Sequence, residues 1–219
     1  MSDTGGGRQP RSANVVWNPP ALRREERWRS LGQSGATLWL TGLPAAGKST
    51  LAAEVERVLV DAGRAAYRLD GDNLRHGLNG DLGFDAATRD ENVRRTAHVA
   101  ALLADAGTVA IVSLISPYVA HRGLARAIHD ELGLPFIEIF VDTPLEECER
   151  RDPKGHYARA RRGEIPGFTG VSDRYEAPPA PDARVAGYNS TIDPQVAAIL
   201  AALNRIAPPL AAPAVRDAV

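Results

Sequence analysis

Thr37-Leu38-Trp39-Leu40-Thr41-Gly42-Leu43-Pro44-Ala45-Ala46-Gly47-Lys48-Ser49-Thr50 is the stretch that decides how this chain folds. An apolar run ends at Gly42, residues 42–49 match G-x-x-x-x-G-K-[ST], and a helical pattern opens directly behind them. Strand, glycine-rich turn and helix in that order are the context such a turn needs in order to hold phosphate. Its backbone N–H groups and the positive end of the following helix wrap a triphosphate. Lys48 is then placed to bridge the β- and γ-phosphates, and Ser49 to hold Mg²⁺. The competing reading is an accidental glycine-rich turn. Composition argues against it, because of 26 basic residues only Lys48 and Lys154 are lysines and the rest are arginines. Lysine is a compact point charge where arginine is a planar fork, so the two retained lysines point to sites that need the smaller cation.

Strand-like and helical stretches alternate on either side of this turn. TLWLTG precedes it and a helix over about 48–62 follows. AAYRLD comes next, then a helix over about 88–106, TVAIVS, a helix over about 119–132, PFIEIFVD, and a helix beginning near Pro144. Alternation of this kind predicts an α/β fold, a three-layer sandwich with a mainly parallel sheet and helices on both faces. Ligands gather at the carboxyl ends of the strands in such folds. Residues 152–181 break the rhythm with Gly, Pro, Arg and aromatics, and read as a long mobile lid. Residues 20–31 interleave Leu22, Trp28 and Leu31 with Arg and Glu, which suggests a short amphipathic helix packed on the domain. Residues 1–13 and 207–219 read as flexible tails around one domain over 14–206.

Bulk composition narrows the function classes. With 219 residues, 44% hydrophobic and 24% charged, the chain suits one soluble globular domain. A net charge of −1 recommends neither nucleic acid nor a membrane surface as partner. Neither a bilayer-spanning stretch nor an apolar leader is evident, so cytoplasmic residence is the expectation. The one cysteine, Cys148, permits no internal disulfide.

The acceptor side is expected at the end of the second strand, in Leu69-Asp70-Gly71-Asp72-Asn73-Leu74-Arg75. Transfer to a hydroxyl needs one carboxylate to take or orient the proton, and another can hold Mg²⁺. Asp72 is assigned the first role and Asp70 the second, against the bland reading of a solvated Asp-Gly turn. Phe84, between Gly83 and Asp85, can stack on a planar base, although a lone phenylalanine is more often core. Arg89 and Asn92 fall three apart on one helical face, where both can grip an anion or simply face solvent. Ser116 ends the third strand and can bind the anion, unless it is only a Ser-Pro turn. Lys154 stands at the lid entrance, and Phe168, flanked by Gly167 and Gly170, can fold over a ligand, so two phenylalanines on separate loops can clamp one adenine.

GLPAAGKST, LDGDNLRHGLN, DLGF, TRDEN, ISPY, FVDTPLEECERRDPKGHY and GEIPGFTG, in this order and spacing, closely resemble the adenylylsulfate kinase family of P-loop kinases, over about residues 15–193. The resemblance implies a P-loop NTPase-type fold and a homodimeric, Mg²⁺-dependent enzyme. Such an enzyme transfers the γ-phosphate of ATP to the 3′-hydroxyl of adenosine 5′-phosphosulfate, in sulfate assimilation. It puts ATP contacts at Gly42, Ala45, Ala46, Gly47, Lys48, Ser49, Thr50, Arg151 and Ser190. Adenylylsulfate contacts fall at Asp72, Asn73, Arg75, Phe84, Arg89, Asn92, Ile115, Ser116, Lys154, Gly167 and Phe168, with the acceptor adenine between Phe84 and Phe168. Lys48, Asp72, Asp70 and Ser116 are the catalytic set, and Ser49 and Asp70 the metal side. The serine matching Ser116 is described in some members as a phosphoserine intermediate. Direct in-line transfer is favoured here, because a phosphate loop already aligns donor and acceptor. A sulfate adenylyltransferase is a partner to consider. Two rivals stand beside this reading: a P-loop kinase for a nucleoside monophosphate or polyol, and a silent nucleotide-binding module that regulates a partner.

Overall fold

The computed structural model describes residues 14–16, 18–188 and 191–210. Five strands form one sheet: β1 (Ala36–Thr41), β2 (Ala66–Asp70), β3 (Val109–Ser113), β4 (Phe136–Val141) and β5 (Ala183–Val185). All neighbours are parallel, in the order β2-β3-β1-β4-β5. β1 is therefore central, and the chain passes to β2 and β3 on one side before crossing to β4 and β5 on the other. Such a change of side opens the crevice in which ligands of doubly wound sheets bind.

Period-two alternation explains the three layers. Leu38, Leu40, Val109, Ile111, Ile137 and Ile139 are fully buried on one face against α2 (Lys48–Asp61) and α8 (Ile192–Ile206). Trp39, Ala110 and Val112 are buried on the other against α4 (Ala86–Asp105) and α5 (Val119–Glu131). A sheet covered on both faces needs strands that are apolar throughout, and β1, β3 and β4 are buried at every position. Each large aliphatic side chain so enclosed contributes about 1.5–3 kcal/mol of transfer free energy. Close helix packing on the second face relies on a small-residue stripe, Ala97, Ala100, Ala101 and Ala104 of α4.

Three expectations need adjustment. The helix before the domain, α1 (Arg24–Leu31), buries no residue fully, and Leu22 lies outside it and exposed. It docks chiefly through polar groups: Arg24 and Arg27 donate to the Asp105 carboxylate at 2.7 and 2.9 Å, and the Trp28 indole to the Asp105 carbonyl at 3.1 Å. Residues 152–181 are not a structureless loop, since they contain α7 (His156–Arg161). The Asp152 carboxylate accepts from the Tyr157 and Ala158 amides at its start, both at 3.0 Å, and so satisfies orphan donors of that helix. The core also reaches into the segment read as a tail, because Ala207 is buried. Neither β5 nor α8 is among the sequence-based expectations. Short helices α3 (Gly71–Leu74) and α6 (Leu145–Arg151) complete the chain. Among the described residues no helix is long and apolar enough to cross a membrane.

Candidate active site

All five strand ends meet around residues 42–50. β1 runs into Gly42, where a Cβ would lie 2.6 Å from the Val141 carbonyl at the end of β4. Gly47 caps α2 at φ 104°, a left-handed conformation open to glycine at little cost. Thr143, just beyond β4, donates to the Ala46 carbonyl at 2.8 Å. Gly187, beyond β5, packs so closely that a Cβ there would sit 2.2 Å from both the Ala46 carbonyl and Thr143 Oγ1. Arg151 donates to the Gly187 carbonyl at 2.6 Å and to Glu147 at 2.8 Å, so it stands beside the loop. Ser190 lies outside the described residues.

Lys48 is buried and donates to the Gly42 and Leu43 carbonyls at 2.9 and 2.7 Å. Burial pulls its ammonium down to about 8, with Cys148, Asp70 and Asp72 acting in the opposite direction. Ser49 donates to Asp70 Oδ2 at 2.7 Å, and Ser113, the last residue of β3, donates to the same oxygen at 2.9 Å. The other Asp70 oxygen accepts the Asp72 amide at 3.0 Å and so caps α3. Burial opposes the Asp70 charge, yet these hydroxyl and amide donors hold its carboxyl below the ordinary range. A serine hydroxyl beside an ionised carboxylate is a hard-oxygen pair, and Mg²⁺ bound through one or two protein groups plus phosphate oxygens and water fits it. Among the described residues no cluster of three or more His, Cys, Asp or Glu side chains offers an alternative metal site.

Asp72 projects from α3 into solvent and is ion-paired with Lys154 of the lid, with Asn73 exposed beside it. Lys48 senses Asp70 and Asp72 through their charge, whereas Lys154 pairs with Asp72 directly. The lid rests on the phosphate loop: the Tyr157 hydroxyl donates to the Pro44 carbonyl at 3.1 Å, and Gly170 faces Leu43 so closely that a Cβ would be 3.2 Å away. Phe168 packs edge-on to Tyr157 with ring centroids 5.0 Å apart.

The two aromatic loops are joined through one guanidinium. Arg89 donates to the Phe84 carbonyl at 2.8 Å and to the carbonyl of Gly167, the residue before Phe168. Its remaining nitrogen pairs with Asp173 at 2.7 Å. Phe84 is 70% exposed, and the Arg75 guanidinium lies 4.1 Å from its ring centroid. Asn92 does not share the exposed role expected for the Arg89–Asn92 pair. Its side chain is buried and accepts from buried Asn79 at 2.9 Å, because the turn over residues 74–83 folds onto that face of α4.

Ser116 also differs from expectation. Its hydroxyl is buried and accepts from the Trp39 indole at 3.1 Å rather than standing open to solvent. A fully buried Trp on the central strand needs an acceptor for its N–H, and this serine supplies it. Ser116 has φ 38°, rare for a non-glycine residue. Hydrogen bonds hold that backbone, since Arg122 donates to the Ser116 carbonyl at 2.7 Å and Thr41 to the Ile115 carbonyl at 2.8 Å. Arg122 is itself buried against Glu138 at 2.7 Å and donates to the Glu176 carbonyl at 2.7 Å. Thr143, Gly187, Tyr157, Arg122 and Asp173 are site-supporting residues that the motif reading did not select. Tyr157 alone carried a signal, as an aromatic inside DPKGHY.

Comparison with known proteins agrees with this geometry. The sequence profile of the adenylylsulphate kinase family matches residues 34–186. The adenylyl-sulfate kinase of Penicillium chrysogenum is 51% identical over 196 residues, covering 86% of this chain and 93% of that protein. That of Clostridium acetobutylicum is 49% identical over 181 residues, covering 83% and 89%. A solved structure of the Mycobacterium tuberculosis APS kinase CysC in complex with AMPPNP and APS superimposes with a TM-score of 0.76 at 53% identity, over 78% of this chain and 99% of that one.

Proposed function

This chain belongs to the adenylylsulfate kinase family, and from that premise we propose how its own residues carry out the reaction. The enzyme transfers the γ-phosphate of ATP to the 3′-hydroxyl of adenosine 5′-phosphosulfate. Residues 42–50 hold the triphosphate through main-chain amides, with Lys48 on its terminal phosphates. Arg151, ion-paired with Glu147 and bonded to Gly187, borders the ATP side of that loop. Ser49 and Asp70 would hold Mg²⁺, which would supply neutralisation of the charge that develops on the transferred group. Asp72 takes the proton of the 3′-hydroxyl as its oxygen bonds to the γ-phosphorus and the bond to the β–γ bridging oxygen breaks, releasing ADP. The Lys154–Asp72 pair is more than half exposed on both partners. Exposed pairs are weak, so an arriving anionic acceptor can draw the Lys154 ammonium onto itself and free the carboxylate.

One observation carries the acceptor reading: Arg89 binds the backbone of both aromatic loops, and the loop that bears Phe168 rests on the phosphate loop. Two ring-bearing loops held by one guanidinium beside a phosphate cradle suit a planar base whose ribose faces the γ-phosphate. Asn73, Arg75, Ile115 and Gly167 border that space, and Asn92 stands behind it, bonded to Asn79. Ser116 contributes through its backbone. Purified protein with ATP and Mg²⁺ is expected to release ADP when adenylylsulfate is added, and not with AMP, gluconate or shikimate. Equal turnover with one of those acceptors would sink the assignment. A homodimer is proposed with it. One relative, the APS kinase of Thiobacillus denitrificans, is described as hexameric, and sedimentation of the active enzyme as a monomer would refute the dimer.

A further inference from the structure

We propose that Asp173 is a positioning residue for the acceptor: it fixes Arg89 and Tyr118 in place, so that the three segments facing adenylylsulfate keep one mutual geometry. The inference rests on the proposed acceptor reading and extends it to a residue outside the motif set. Phe168 sits in a turn that Asp173 closes. The Phe168 carbonyl accepts the Val171, Ser172 and Asp173 amides, the Phe168 amide donates to Ser172 Oγ at 3.0 Å, and the Gly170 amide donates to the Asp173 carbonyl at 2.7 Å. The main chain of Asp173 thus shapes the turn that presents one ring.

Its carboxylate reaches the other two segments. Oδ2 pairs with Arg89 at 2.7 Å, and Arg89 in turn holds the Phe84 and Gly167 carbonyls. The Tyr118 hydroxyl, two residues beyond Ser116, lies 2.7 and 2.6 Å from the two Asp173 oxygens. Tyr118 is braced in turn by edge contact with His121, ring centroids 4.8 Å apart, and His121 bonds Asp90 of α4 at 2.6 Å. Burial opposes the Asp173 charge, but the Tyr118 hydroxyl, the Arg174 amide and Arg89 keep its carboxyl below the ordinary range. The acceptor of all these donors is therefore a carboxylate at neutral pH. An arginine with three separate partners reads out its own orientation, and removing the only charged one leaves it free to rotate away from both carbonyls.

The geometry separates the two substrates. Both side-chain partners of the Asp173 carboxylate, Arg89 and Tyr118, lie on the acceptor side, whereas the phosphate loop is bonded by Thr143 and Tyr157 and packed by Gly187 and Gly170. Adenylylsulfate binding is to be measured by calorimetry in the presence of a non-hydrolysable ATP analogue, for wild type, Asp173→Asn, Tyr118→Phe, Arg89→Ala and the Arg89→Ala/Asp173→Asn double variant. ATP-analogue affinity and thermal midpoint are measured on the same samples. Loss of a charge-assisted hydrogen bond predicts adenylylsulfate binding weaker by about tenfold or more in Asp173→Asn and by a smaller factor in Tyr118→Phe, with nucleotide affinity within about twofold of wild type. In the Arg89→Ala background, Asp173→Asn should add no more than the smaller factor seen in Tyr118→Phe, because the part of its action that passes through the arginine is already gone. Full additivity there, a parallel loss of nucleotide affinity, or unchanged binding in Asp173→Asn would overturn the proposal. Tyr118→Phe decides by itself if Asp173→Asn does not fold, with unchanged acceptor affinity counting against it. A wild-type enzyme that binds no adenylylsulfate would instead overturn the acceptor reading.

Discussion

At Gly187 the difference between hydrogen and methyl decides whether the phosphate loop keeps its shape. A Cβ at that position would stand 2.2 Å from the Ala46 carbonyl and from Thr143 Oγ1, closer than any non-bonded contact allows, and the first obstacle is backbone. Gly187→Ala is therefore expected to push residue 46 away from Thr143, breaking their 2.8 Å hydrogen bond, and to weaken ATP binding while acceptor affinity is kept. Forced overpacking of this kind costs about 1–3 kcal/mol, so a lower urea midpoint should accompany a raised KM for ATP. Normal values of both would remove the loop-bracing role. Ser116→Ala tests the other special residue. It strands the Trp39 indole N–H in the core at a cost of about 1–3 kcal/mol, but turnover should stay within about tenfold, because the hydroxyl serves Trp39 and the backbone does the positioning. Complete loss of turnover in a folded Ser116→Ala enzyme, with a trapped phosphoenzyme in wild type, would show a covalent route. These residues also mark how far the sequence could be read. Lys48, Ser49, Asp70 and Asp72 fall within short contiguous patterns, and chemistry alone suggested their roles. Asp173 and Gly187 act through partners 84 and 36 residues away, and no local spacing reveals such a pairing.

At the scale of elements, α8 holds one face of the sheet although it lies far from any motif. Val196, Ile199, Ala202 and Leu203 form an apolar stripe buried with Leu38, Leu40, Val55 and Leu59. Ile199→Ala should cost about 2–5 kcal/mol by the transfer and cavity terms together, read as a lower urea midpoint. Activity per folded molecule should be unchanged, since α8 supplies no group to the site, and a drop in kcat without loss of stability would contradict that division. The spacing of those four residues is plainly helical, so α8 was legible in principle. The sequence reading placed residues 192–206 inside the domain but assigned them no helix, and Pro194 near the start interrupts the helical signal. β5 was not legible, because three residues in extended form carry no periodicity. β1, β3 and β4 announced themselves through runs buried on both faces and β2 as the short strand-like run between two helical patterns, and their order in the chain was sufficient for the layer architecture. The polar docking of α1 on Asp105 was hidden for a different reason: charged residues on a helix read as solvent-facing unless their partners are known.

For the molecule as a whole, the balance of 26 basic and 27 acidic residues holds only while the carboxylates stay ionised. Many are committed to arginine. Glu91 accepts from Arg94 and Arg95, and Glu147 from Arg150 and Arg151, and these bonds pull both carboxyls from 4.5 down to about 2 in the folded chain. Asp105 lies below its ordinary 3.8 as well, where burial opposes the charge but the bonds from Arg24 and Arg27 prevail. A folded-state value below the unfolded one means that the unfolded chain binds more protons as acidity rises, so the contribution is intact above the unfolded value and is lost as pH falls. For Glu91 and Glu147 the window runs from about 4.5 down to about 2. Through the same interval the arginines keep their charge, and the growing positive excess repels itself across the compact molecule. Urea midpoints should therefore be flat near neutrality and fall steeply below about pH 4.5, and Glu91→Gln should fall less than wild type across that interval, having already lost the proton-linked part. The difference between the two should shrink at about 1 M salt, where screening acts over about 3 Å and both glutamates are partly open to solvent. Parallel acid profiles for wild type and Glu91→Gln at low salt would mean that acid stability is set elsewhere in the fold.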